Sequence, residues 1–221
     1  MHIALDARMM GAGNTRGIGR YIQETVRAAL EVDHDLRYTL VVRSLEGTPF
    51  MGHPRVDHVT ADIPWYSVQE QLRMAPILEN IGADLIHIPH WNVPLCLRKS
   101  FVLTVHDLLL LRQPASTKTS TRGFVARTIK YAAFRSVIQR AIPKGERIFV
   151  PTAFTASEVE VLTGVAGEKM IVTGEGLTHF PSSDSRLCST SPYLLYVGSA
   201  YPHKRLDLLV SAWSKLSSKY S

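Results

Sequence analysis

Cysteine is scarce in this 221-residue chain, which has only Cys96 and Cys188. Two cysteines make neither a disulfide framework nor a metal-ligand spacing, and they point to reduced cytosolic thiols. Long apolar runs are missing as well. The longest candidate, Phe101 to Leu111, is interrupted by His106 and Asp107, well short of the roughly 18–20 residues of a membrane span. The opening Met1-His2-Ile3-Ala4-Leu5-Asp6 lacks a basic n-region and reaches an acid at once, which predicts no signal peptide. No G-x-S-x-G segment occurs, which argues against an α/β-hydrolase. With 45% hydrophobic and 20% charged residues, the composition is that of an ordinary globular protein. It excludes a disordered tail, a collagen-like repeat and a coiled coil. The length suits one domain or one and a half.

Charge is uneven. Between Leu108 and Arg147 nine basic residues face one acid, Glu146, so this stretch carries +8 of a total of +6 and the rest sums to −2. Such a segment suggests an anionic partner (phosphate, nucleic acid or an acidic membrane surface), with a solvated face as the plain alternative.

Short apolar runs alternate with helical patterns. Strands are predicted at His2–Asp6, Tyr38–Val42, Val56–Ala61, Asp84–Ile88, Phe101–Val105, Arg147–Val150 and Lys169–Thr173. The clearest helix is Gly17–Leu30, where Ile18, Tyr21, Ile22, Thr25, Val26, Ala29 and Leu30 repeat at helical spacing. Further helices are predicted at Trp65–Asn80, with Pro76 as a kink or break, at Arg122–Ala141 and at Thr155–Leu162. The arginines of Arg122–Ala141 scatter around the wheel, unlike a membrane-surface helix. Alternation of this kind argues for a doubly wound parallel α/β sheet. The turn-rich Pro181–Pro192 stretch reads as a linker. After it come a strand at Tyr193–Val197, a turn at Gly198–Pro202 and a helix from about Lys204. A lone strand and helix cannot bury a sheet, so the chain is expected to be a fragment.

Four places could carry chemistry. The glycines from Gly11 to Gly19 lie between the first strand and its helix, where backbone N–H groups can approach a phosphate. Gly17-Ile18-Gly19 lacks the third glycine of a dinucleotide fingerprint, and the loop is long for that turn, so a nicotinamide reading is weak. His87-Ile88-Pro89-His90-Trp91-Asn92 follows a strand end, where open α/β sheets place ligands. It could bind a sugar by hydrogen bonding and stacking, or be a proline-ordered loop packed on itself. No third ligand accompanies its two histidines, so no metal is expected. His106 and Asp107 end a buried strand at the same edge, where His106 could donate to a substrate hydroxyl or merely cap the strand. Finally, Lys204 and Arg205 stand at a helix start, where cations are out of place unless an anion such as a diphosphate lies between them.

These pieces, in order, resemble family-4 glycosyltransferases, which have the two-domain GT-B fold. The resemblance lies in Arg16-Gly17-Ile18-Gly19-Arg20-Tyr21, His87-Ile88-Pro89-His90, Val102-Leu103-Thr104-Val105-His106-Asp107, Val150-Pro151-Thr152-Ala153-Phe154-Thr155 and Tyr196-Val197-Gly198 through Pro202-His203-Lys204-Arg205. It spans nearly the whole chain but only the N-terminal half of a family member. It implies a Rossmann-like acceptor-side domain at 1–178, a linker at 179–192 and an incomplete second Rossmann-like domain at 193–221. It implies that Gly17 and Gly19 belong to a cleft-facing loop, that His106 lies near the transferred sugar and that Lys204 holds the donor diphosphate. Ser199 stands where many members have an arginine, and Arg205 is not obviously its substitute. The family's paired-glutamate motif is absent.

The expected activity is therefore retaining transfer of a sugar from a UDP- or GDP-linked donor to a glycan or lipid-linked acceptor, in surface-polysaccharide or glycolipid assembly. His106 is the catalytic candidate. Gly17, Gly19, His90, Asp107, Lys204 and Arg205 are the substrate- and donor-binding candidates. No cofactor or metal is expected beyond the nucleotide-sugar substrate. The expected location is cytoplasmic, with peripheral membrane contact through residues 112–147 left open and no nucleic acid. The fragment alone is expected to be inactive. The rival reading is a non-catalytic sugar- or phosphate-binding remnant.

Overall fold

The computed structural model describes residues 1–11, 17–112, 124–176 and 193–220. Seven strands, β1 (His2–Asp6), β2 (Arg37–Val42), β3 (Val56–Thr60), β4 (Leu85–Ile88), β5 (Phe101–Thr104), β6 (Ile148–Val150) and β7 (Met170–Val172), form one sheet of order β3-β2-β1-β4-β5-β6-β7. Every pairing is parallel. The connections run one way from β1 to β3 and the other way from β4 to β7. With right-handed crossovers this sends the helices of the two halves to opposite faces. The fold is α/β and Rossmann-like, as the alternating pattern predicts.

Helix α1 (Gly17–Val32) buries Ile22, Val26 and Leu30 against Leu5, Tyr38 and Leu40 of β1 and β2. Fully buried aliphatic side chains of this size stabilise a fold by roughly 1.5–3 kcal/mol each, which is why the helical spacing of α1 is so plain in the sequence. Helix α2 (Val68–Asn80) begins three residues later than the predicted Trp65. Ser67 caps it, its Oγ accepting from the Glu70 N–H at 3.1 Å, and Tyr66 turns left-handed at φ 56° just before. Pro76 does not break α2. It lies on the exposed side, where water can serve the carbonyl that proline leaves without an N–H partner.

The remaining helices are α3 (Leu109–Arg112), α4 (Phe124–Ala141), α5 (Ala153–Thr163) and α6 (Leu206–Tyr220). Thr152 caps α5 and Gly164 closes it in the left-handed conformation, φ 72°, which glycine adopts without penalty. No described helix is long and apolar enough to cross a membrane.

The chain divides into two compact units: residues 1–108 with 132–176, which hold the whole sheet, and residues 109–131 with 177–221. The predicted linker at 179–192 lies outside the described residues. The predicted strand Tyr193–Val197 does not form. Its composition suits a strand, but no described strand pairs with it, and all five side chains are exposed. Backbone donors and acceptors without a ladder do not hold a strand.

Candidate functional site

At the carboxyl end of β1 the chain buries an arginine. Arg8 is only 2% exposed. Its Nε donates to Asp6 Oδ1 at 2.8 Å, its Nη2 to Asp6 Oδ2 at 2.7 Å and to Glu70 Oε1 at 2.5 Å, and its Nη1 to the Ile63 carbonyl at 2.9 Å. Burial opposes its charge, but Asp6 and Glu70 outweigh that and hold its pKa above the ordinary value. Glu70 is pushed up by burial and pulled back by Arg8 and the Tyr66 N–H. Its Oε2 accepts from that N–H at 2.7 Å and from Asn92 Nδ2. Three donors converge on this carboxylate, which suits the ionised, acceptor-only form. The network ties β1, the start of α2 and the loop after β4 together.

The loop after β4 carries His90 and Trp91, both buried. The His90 ring lies 4.6 Å from Trp91 and 5.6 Å from Tyr66, centroid to centroid, and Phe134 completes the cluster. His90 Nε2 is 3.3 Å from the Tyr66 hydroxyl. Burial, with a contribution from His106, lowers His90 to about 3 and His87 to about 4. Both are therefore neutral near pH 7.

His106 follows β5. Its ring stands edge-on to Tyr21 of α1, and its Nδ1 lies 4.0 Å from Glu175 Oε1. Burial lowers its pKa against the pull of the Pro89 carbonyl, Glu175 and Asp107. Its Nε2 is buried without a hydrogen-bond partner among the described residues. Behind it, the Tyr21 hydroxyl is 3.1 Å from Thr104 Oγ1, which in turn is 3.2 Å from His87 Nε2. A neutral imidazole whose one N–H serves the Pro89 carbonyl keeps an unpaired nitrogen that can accept from a substrate hydroxyl.

The sheet's carboxyl edge thus brings together His87, His90 and His106. Asp107 is exposed at the same edge, and its charge helps raise the Tyr66 pKa, after burial and Glu70. Gly17 and Gly19 stand in the first turn of α1 and not in the loop before it, Gly17 exposed and Gly19 buried. The rest of that loop, residues 12–16, lies outside the described residues.

Lys204 and Arg205 belong to the other unit. Lys204 ends a short 3-10 turn (Pro202–Lys204), Arg205 caps it at φ 50°, and α6 starts at Leu206. Both are exposed. Arg205 forms a two-pronged ion pair with Asp207, at 3.1 Å on each oxygen, which accounts for one of the two cations without an outside anion. Among the described residues no group of three or more His, Cys, Asp or Glu could hold a metal ion.

The sequence reading missed Arg8, Glu70, Trp65 and Tyr66. The available signal was Ser67-Val68-Gln69-Glu70, an S-x-x-E capping pattern, in which Glu70 reaches the Tyr66 N–H.

The sequence profile of Glycosyltransferase Family 4 matches residues 15–177. No curated protein matches the chain. Among solved structures, a glycosyltransferase from Rickettsia africae ESF-5 is similar over 80% of this chain and 43% of its own, with 11% identity and a TM-score of 0.50. The wall teichoic acid polymerase TagF is similar over 79% of this chain and 38% of its own, with 12% identity and a TM-score of 0.47. At such identities the likeness is one of fold. The chain spans less than half the length of these two proteins.

Proposed function

The chain belongs to glycosyltransferase family 4, and on that premise we propose that it is the acceptor-side part of a retaining GT-B enzyme. The enzyme moves a sugar from a UDP- or GDP-linked donor to a glycan or lipid-linked acceptor, in surface-polysaccharide or glycolipid assembly. The observation that supports this reading best is His106. It sits at the carboxyl end of a central parallel strand, where α/β sheets meet their ligands. It is steadied by Tyr21 and keeps one buried nitrogen unpaired among the described residues.

Breaking a sugar–diphosphate bond develops negative charge on the leaving group and positive charge on the ring. In this reading Lys204 and the α6 N-terminus face the leaving diphosphate. His106 meets a hydroxyl of the transferred sugar, and its neutral ring adds no positive charge beside the developing cation. The enzyme works in the cytoplasm.

The test is a panel of UDP- and GDP-sugars offered to the full-length enzyme with mixed glycan and lipid-linked acceptors. Transfer with retained anomeric configuration supports the reading. Inverted product or no transfer opposes it.

A further inference from the structure

His106 has beside it an acid from a distant part of the chain. His106 follows β5, Glu175 follows β7, and β6 lies between the two strands. Neighbouring strands stand about 4.8 Å apart, so the chain leaving β7 must cover roughly 10 Å to reach that ring. A turn takes it there. Thr173 pins the segment to β6, its N–H donating to the Val150 carbonyl at 2.9 Å. Gly174 then bends left-handed at φ 68°, which glycine adopts without penalty. Glu175 Oε1 comes to 4.0 Å from His106 Nδ1.

The partners of the ring locate its proton. The Pro89 carbonyl accepts from the imidazole, and Nε2 has no partner among the described residues. The N–H is therefore on Nδ1, the nitrogen that faces Glu175. At 4.0 Å the carboxylate acts through space and not as a hydrogen-bond acceptor. It still favours the tautomer whose N–H points toward it, as the aspartate of a Ser-His-Asp triad does. It also stabilises the positive charge that gathers on the ring when Nε2 accepts a hydrogen bond.

Other groups surround the ring. Tyr21 of α1 meets it edge-on. His87 of β4 and His90 of the next loop lie near enough to feel its charge, and burial holds both neutral near pH 7. Asp107, its neighbour in the chain, pulls the same way as Glu175 but less strongly.

We propose that Glu175 is a positioning residue for His106: its carboxylate keeps the imidazole proton on Nδ1 and makes Nε2 the stronger acceptor. The effect on the ring rests on this geometry, whereas its bearing on sugar transfer rests on the transferase reading above.

The His106 imidazole of the 221-residue chain is followed by nitrogen-15 NMR as the pH falls. The neutral ring is expected to show the Nδ1–H tautomer. Glu175→Gln keeps the shape of the side chain and removes its charge. Because that side chain is 68% exposed, solvent screens it, and the variant is expected to weaken proton binding by His106 about threefold. Glu175→Asp keeps the charge with a shorter reach and should fall between. Glu168→Gln, an exposed acid in the 3-10 turn before β7, should change nothing. An Nε2–H tautomer in the parent, a His106 titration indifferent to Glu175→Gln, or an equal shift in Glu168→Gln overturns the proposal. In the full-length enzyme, Glu175→Gln is expected to lower kcat by up to about threefold at pH 7, with KM nearly unchanged. It should also carry the acid limb of the kcat profile to lower pH, because a less basic His106 stays neutral further into acid. A moved titration beside an unmoved kcat profile in an active enzyme removes the link to catalysis and leaves the transferase. A moved titration in a parent that transfers no sugar removes the transferase and leaves the positioning of His106.

Discussion

The imidazole of His106 stands edge-on to the phenol of Tyr21, with centroids 4.8 Å apart and planes at 87°. The two residues come from different motifs, 85 positions apart in sequence, one on α1 and one after β5. The contact gives the tyrosine of Arg16-Gly17-Ile18-Gly19-Arg20-Tyr21 a physical purpose. It fixes the orientation of the ring that the transferase reading places against the sugar.

Replacing Tyr21 by Leu is therefore expected to lower kcat by up to about tenfold, the worth of one edge-on aromatic pair, with KM nearly unchanged. Tyr21→Phe keeps the ring and loses only the link to Thr104, so it should retain most of the rate. In a His106→Ala background, Tyr21→Leu should cost nothing further. An additive loss in steady-state kinetics of the full-length enzyme would show that Tyr21 acts by another route.

Arg8 should matter to stability more than any surface cation. Arg8→Met leaves buried Glu70 and partly buried Asp6 with no cation between them, and breaking such a pair costs about 3–5 kcal/mol. Arg43→Ala removes the exposed pair with Asp62 and should cost no more than about 1 kcal/mol. Urea unfolding midpoints of the two variants check the contrast.

Acid should weaken the fold through the buried histidines. His87 and His90 are lowered to about 4 and 3, whereas in the unfolded chain a histidine titrates near 6.5. Below about pH 6.5 the unfolded state takes up protons that the native state refuses, so stability falls as pH drops toward 4. His87 alone accounts for about 3 kcal/mol of that loss. His87→Gln can still reach Thr104 and does not titrate, so its stability should vary less between pH 7 and pH 4.5. Equal slopes for the variant and the parent would contradict the assignment.

Lys204 and Arg205 should separate. Arg205 is paired with Asp207, so Lys204 is the better diphosphate ligand. Lys204→Ala in the full-length enzyme is expected to weaken nucleoside diphosphate binding roughly 10- to 100-fold and leave nucleoside binding unchanged. Arg205→Ala should do much less, and Ser199→Arg should tighten diphosphate binding. Isothermal titration with both ligands reads all three. Equal losses for nucleoside and diphosphate in Lys204→Ala would make Lys204 a structural residue.

Much of the sheet was readable in the sequence because its central strands are buried on both faces. Leu40, Val41, Val42, Leu103 and Val105, all buried, have little choice but to be apolar. α1 was readable because one face alone is buried, at Ile22, Val26 and Leu30. The start of α2 was misplaced because Trp65 and Tyr66 look helical by composition, while the capping bond of Ser67 decides the boundary. Tyr193–Val197 was misread for the opposite reason: strand composition is local, but a strand needs a neighbour. The place of His90, His106 and Asp107 at the sheet's carboxyl edge was legible because each follows a strand. The Arg8 network was not, because Glu70 lies 62 residues from Arg8 and no local pattern announces the pairing.

The central claim is that His106 serves sugar transfer, and steady-state kinetics of full-length His106→Ala against the parent test it most directly, with the donor identified by the nucleotide-sugar panel. The account predicts that kcat and kcat/KM fall together by about 100-fold, as they do when a contact made only in the transition state is lost. A variant that keeps the parent's kcat would contradict it and leave His106 a structural cap on β5.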